Sequence, residues 1–323
     1  MTQNYTMKLR DIAAEHELHV AHAAGSYDVC EVTSPDVARA SLQLTGFFDY
    51  FDPEKIQIMG KMEMAYLRTL GEEEMVQRVD DLMAHKPVAL VICHRVPPHP
   101  DLIDAAKRHD VNVLTTDLNT SSFMAQVINT LRTKMAPRVS VHGVLVEVHG
   151  EGLLITGESG IGKSETALEL VKRGHRLIAD DSVDVLRMYR HELVGEAPEM
   201  IRYLMELRGV GIIDVRRIYG IGSVLERSKI DLVVNFERWD QDKTYNRLGL
   251  EEETTNYLGV KVPLITIPVA PARNLAIILE VAAMNNRQKR MGFNAGADLV
   301  GRHDRSIDSG WKQGRGNGGK SAN

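Results

Sequence analysis

Residues 157–164 read Gly157-Glu158-Ser159-Gly160-Ile161-Gly162-Lys163-Ser164, a G-x-x-x-x-G-K-S run with the spacing of a phosphate-binding loop. The apolar segment 152–156 before it reads as a strand. Residues 165–172 after it carry Ala167, Leu168, Leu170 and Val171 at helical spacing, with Gly174 as a stop. That context suits the chemistry, which needs backbone amides converging on a helix N-terminus and glycines that let the chain approach phosphate oxygens. Lys163 adds a point charge toward the β- and γ-phosphates, and the Ser164 hydroxyl can coordinate Mg²⁺. Four fixed positions match by accident in about one chain per hundred of this length. The flanking strand and helix were no part of the match, so they weigh against a plain Gly-rich turn.

The chain has 323 residues, enough for two domains with cores of their own. A net charge of −5 and scarce aromatics, 5%, argue against nucleic acid as a partner. Cys30 and Cys93 stand far apart with no Cys/His cluster, so neither a disulfide framework nor a zinc site is suggested. The opening residues have no apolar signal core and no apolar run has the length of a membrane span, so a cytoplasmic protein is expected.

Elements alternate along the first part. Helices are expected over 8–20, 62–70, 72–85, 100–109 and 121–135, with strands at 56–59, 87–93 and 111–115. This predicts an α/β layer domain with a partly parallel sheet, spanning 1–135 and serving regulation or assembly. Pro137 marks a change of pattern, and a catalytic domain is expected over 136–309. There, 139–148 alternates like a half-buried strand and forms a hairpin with 152–156 that carries His142 and His149. Strands are expected at 176–179, 230–236 and 262–269, and an amphipathic helix over 274–290. Residues 310–323, rich in Gly and Lys, read as a disordered tail.

Asp180-Asp181 ends a strand one helix after the phosphate loop, where open α/β sheets place their sites. A carboxylate there can accept the proton of an attacking hydroxyl or hold Mg²⁺; its bland reading is a cap or turn before Ser182. Glu206 lies in MELRGVGIID, either a second carboxylate for Mg²⁺ or a solvated Glu/Arg pair at a helix end. His142 by itself reads as a surface strand residue. Arg247 and Arg273 sit in loop-like segments, where arginines are usually solvated but also grip phosphate with two donors.

The run VHGVLVEVHGEGLLITGESGIGKSETALELVKRGHRLIADDSVDV, with MELRGVGIIDV and the earlier TGFFDYFDPEKIQIMGKMEMAYL, resembles the bifunctional HPr kinase/phosphorylase family over nearly the whole chain. The resemblance implies a serine kinase acting on HPr, the small phosphocarrier of the sugar phosphotransferase system. It also implies use of ATP and Mg²⁺, removal of the phosphate by inorganic phosphate with release of pyrophosphate, and a homohexamer. Carried over by motif, His142, Lys163, Asp181 and Arg247 would be active-site residues, Asp181 moving the serine proton in both directions. Ser164 and Glu206 would hold Mg²⁺. The C-terminal domain would be a P-loop kinase domain resembling phosphoenolpyruvate carboxykinase in fold.

One segment departs from the family pattern. Where the family resembles P-V-[K/R]-P-G-R-N, this chain has Pro268-Val269-Ala270-Pro271-Ala272-Arg273-Asn274, and phosphorolysis is expected to be weakened. The alternatives are a P-loop kinase or carboxykinase-like enzyme acting on a small molecule, and a non-catalytic nucleotide sensor.

Overall fold

The segment Leu90–Ile92 is buried at every position, and a run of that kind needs cover on both faces. It is the middle strand of a sheet ordered His19–His22, Val113–Thr115, Leu90–Ile92, Ile56–Met59, Val37–Arg39. The last four pair in parallel and the first is antiparallel. The structure, a computed structural model, describes residues 5–189, 191–240, 242–243, 252–270, 273–303 and 305. The chain divides into units Met1–Pro137 and Arg138–Asn323.

In the first unit, alternate side chains of the sheet meet different helices, as the two-residue period of a strand dictates. Leu90 and Ile92 pack with Leu82, Leu102 and Ala105, whereas Val91 and Ile58 pack with Ile12, Phe123 and Leu131. The helix expected over 8–20 is shorter, Leu9–Glu15. Glu17 adopts a left-handed backbone with φ 51°, which ends the helical path and lets His19–His22 join the sheet edge instead.

In the second unit we label the strands and helices that position the site. They are β1 (Arg138–His142), β2 (Val144–Val148), β3 (Glu151–Gly157), α1 (Lys163–Lys172), β4 (Arg176–Ala179), β5 (Ser182–Tyr189), β6 (Glu192–Glu196), β7 (Leu204–Leu207) and β8 (Gly211–Asp214). After them come α2 (Val215–Tyr219), β9 (Arg227–Lys229), β10 (Leu232–Arg238), β11 (Glu253–Tyr257), β12 (Val260–Val269) and α3 (Leu275–Arg290). One sheet has the order β4-β2-β3-β10-β12-β11 and a second the order β9-β6-β5-β1. Strands β3, β10 and β12 run parallel.

The stretch 139–148 does not form one half-buried strand. It divides at Gly143, so that β1 pairs with β5 in one sheet and β2 with β3 and β4 in the other. Every residue of β2 is buried, because Val144, Val146 and Val148 face α1 and α3 while Leu145 faces Val183, Val185 and Leu193 of the second sheet. The first sheet is thus covered by helices on one face and by a sheet on the other. Residues 205–214 form the β7–β8 hairpin rather than a helix end.

Candidate active site

Strand β3 ends at Gly157 and α1 begins at Lys163, so the phosphate-loop motif bridges a strand and a helix. Gly162, the N-cap, has φ 103°, a backbone that side chains rarely adopt. Among the described residues, no atom beyond its chain neighbours lies within 4 Å of where its Cβ would stand. Lys163 is buried, and its Nζ donates to the Gly157 carbonyl at 2.8 Å and the Glu158 carbonyl at 2.9 Å. Burial pushes its pKa below the ordinary lysine value, against the pull of Asp180, Asp181 and Glu165.

Strand β4 delivers the acidic pair. Asp180 is 4% exposed; it accepts from the Ser164 hydroxyl on Oδ1 at 2.7 Å and from the Glu206 backbone N–H on Oδ2 at 3.1 Å. Burial raises its pKa above the usual carboxylate value, and these hydrogen bonds offset only part of the cost. Asp181 is different. Its backbone has φ 68°, its carbonyl accepts from the Gly143 N–H at 3.1 Å, and its carboxylate is exposed, with Oδ1 3.3 Å from Nδ1 of His142. The sparsely populated backbone turns Asp181 away from the direction of its buried neighbour. Two adjacent carboxylates therefore occupy contrasting environments, one buried and held by donors, the other exposed beside His142.

Glu206 is exposed on β7, opposite Ile212 of β8. Two residues on, Arg208 lays its guanidinium along the loop, with Nη1 2.5 Å from the position a Cβ at Gly160 would take. The resulting cleft is lined by Ser159, Gly160, Gly162, Lys163 and Ser164 of the loop, together with His142, Asp180, Asp181, Glu206 and Arg208. Gly157, Glu158 and Ile161 complete the loop outside that lining; Ile161 packs on the core and Glu158 stands 3.4 Å from Nε of Arg238. Arg247 lies outside the described residues, as do Pro271 and Ala272. Nearby, Arg273 donates to the Pro268 carbonyl at 3.3 Å and its guanidinium lies 5.4 Å from the Trp239 ring centroid. Asn274 caps α3 by accepting from the Ile277 N–H at 3.2 Å.

Two cleft residues had no separate part in the sequence reading. Asp180 was legible as half of an acidic doublet, but nothing in the string separates the buried carboxylate from the exposed one. Arg208 was legible only as the partner in a Glu/Arg pair, because its approach to Gly160 depends on the β7–β8 hairpin.

No helix among the described residues is long and apolar enough to cross a membrane. A family model described as HPr Serine kinase C-terminal domain matches residues 133–303, and one described as HPr Serine kinase N terminus matches residues 7–131. The HPr kinase/phosphorylase of Caldanaerobacter subterraneus subsp. tengcongensis is 50% identical over 83% of this chain and 88% of its own length. That of Bacillus subtilis is 45% identical over 86% of this chain and 90% of its own. A solved structure described as the HPr(Ser) kinase/phosphatase from Coxiella burnetii aligns with 50% of this chain and 98% of its own at 31% identity, with a TM-score of 0.46. The two family models together span both units, and the identities extend over more than four fifths of each relative: this chain belongs to the HPr kinase/phosphorylase family.

Proposed function

We propose that this chain phosphorylates a serine of HPr with ATP and reverses the reaction by phosphorolysis, so controlling sugar uptake and catabolite repression. The observation that carries this reading is the opening of Lys163, Ser164, Asp181 and His142 onto one cleft. In the forward direction the seryl oxygen forms a bond to the γ-phosphorus, the bond to the β,γ-bridging oxygen breaks and ADP leaves. Asp181 takes the seryl proton, and His142 holds that carboxylate in position. In reverse, an oxygen of inorganic phosphate attacks the phosphoseryl phosphorus, the seryl oxygen leaves with the proton from Asp181, and pyrophosphate is released. Lys163 and Arg208 supply positive charge where the transferring group gathers negative charge.

Ser164, Asp180 and Glu206 all line the cleft, and their hydroxyl and carboxylate groups are a donor set that suits a hard cation. These residues would hold Mg²⁺, which neutralises phosphate charge when bound. Residues 136–309 carry the catalysis in this reading and 1–135 a regulatory or assembly role, in a cytoplasmic homohexamer. The test is mass spectrometry of HPr after incubation with the chain, ATP and Mg²⁺. A phosphoserine adduct supports the reading, whereas an unmodified HPr alongside a phosphorylated metabolite supports a small-molecule kinase.

A further inference from the structure

The hairpin joining β2 and β3 turns at His149-Gly150, between the paired residues Val148 and Glu151. Both turn residues have positive φ, 51° and 83°, a backbone that Asn-Gly and Asp-Gly adopt with least strain. Histidine is therefore not what the turn itself selects. Its ring meets that of His175 edge-on, with centroids 4.7 Å apart. His175 is 7% exposed and follows the Gly174 that ends α1; its Nε2 lies 3.0 Å from Oε1 of Glu280 on α3. The other Glu280 oxygen accepts from Arg173 at 3.4 Å, which leaves Oε1 turned toward the imidazoles. One ligand atom from each of His149, His175 and Glu280 lies within 4.8 Å of the others.

We propose that His149, His175 and Glu280 bind a divalent transition cation of the zinc class, at a site separate from the nucleotide cleft. Metal–ligand bonds of about 2.0–2.2 Å place tetrahedral neighbours about 3.3–3.6 Å apart. The His175–Glu280 pair is already near that spacing, and the exposed His149 closes the site by side-chain rotation. Two imidazoles and one carboxylate select such a cation over Mg²⁺, which prefers an all-oxygen shell. Three protein ligands leave a coordination position for water. The site lies beyond the N-terminal end of β3, whereas the phosphate loop leaves its C-terminal end, so a strand of 7 residues separates them by about 20 Å. A bound cation would tie the hairpin turn and the end of α1 to α3.

The test uses the full chain, treated with a chelator and then titrated with Co²⁺ in the presence of excess Mg²⁺. One equivalent should bind and give the visible bands of low-symmetry, four-coordinate cobalt, and Zn²⁺ should raise the Tm by mass action. His149→Asn suits the turn and should keep or raise the metal-free Tm, while binding Co²⁺ at least about tenfold more weakly. Glu206→Gln, altered in the nucleotide cleft, should retain the cobalt bands. A parent chain without those bands, or equal Co²⁺ affinity in parent and His149→Asn, would overturn the site.

Discussion

The Ser164 hydroxyl donates to Oδ1 of Asp180 at 2.7 Å, joining the first turn of α1 to the end of β4 inside the cleft. Asp180 is buried and its pKa is raised, chiefly by desolvation. Its ionised form is therefore less favourable in the folded chain than in the unfolded one, and it lowers stability at neutral pH. That cost disappears as pH falls and the folded carboxylate takes up its proton. Asp180→Asn should consequently raise the Tm at neutral pH while lowering kcat by about 10²-fold or more. Thermal melts across pH check the sign: the gap between variant and parent should narrow on acidification, and a gap that widens would contradict it.

The exposed carboxylate of Asp181 pairs with His142. Asp181→Asn should lower the rate of serine phosphorylation by about 10²–10⁴-fold while ATP affinity, measured by titration calorimetry, stays near that of the parent. Equal losses in rate and in ATP affinity would instead mark Asp181 as a binding residue.

Lys163 spans the loop through the carbonyls of Gly157 and Glu158. Lys163→Met removes both bonds and the positive charge that the proposed function assigns to phosphate binding, so ATP binding should weaken by more than about tenfold. Unchanged ATP affinity would contradict that placement.

Restoring the family pattern at Ala270 and Ala272 should speed phosphate-dependent release from phospho-HPr. Ala270→Arg adds a cation for incoming phosphate, and Ala272→Gly frees the backbone. The readout is pyrophosphate formed per unit time, with serine phosphorylation unchanged. Equal pyrophosphate rates in parent and double variant would remove the idea.

Beside the turn of the β2–β3 hairpin, Arg290 of α3 bonds Asp231 at 2.7 Å and also pairs with Glu151. Both carboxylates are almost fully buried. Arg290→Met removes the guanidinium that both share, which should cost about 2 kcal/mol in urea unfolding. The effect is held to that size because Arg290 is partly exposed, and Arg287 and Lys229 remain within 3.7 Å of the same carboxylates. A loss below about 0.5 kcal/mol would show the pair to be as weak as a surface contact.

Much of the cleft was legible because its chemistry is local. The phosphate loop needs eight consecutive residues, and Asp180-Asp181 follows one helix later. The alternation of helix and strand in the first unit was legible for the same reason, since each element carries its own period. What escaped depends on partners distant in sequence. Nothing in VSVHGVLVEV announces that Gly143 passes the chain from one sheet to another, because both halves alternate alike and only β5 and β3 decide their company. The β7–β8 hairpin was missed because Glu206, Arg208 and the glycines around them suit a helix end equally well. Short strands such as Val37–Arg39 carry too few residues to show a period.

The most direct measurement follows phosphoserine on HPr in both directions, with the parent chain and with Asp181→Asn. Formation is driven by ATP and Mg²⁺, and removal by inorganic phosphate after ATP is withdrawn. If one carboxylate moves the proton both ways, the two rates fall together by similar factors. An Asp181→Asn chain that loses phosphorylation but removes phosphoserine at the parent's rate would contradict a single shared site.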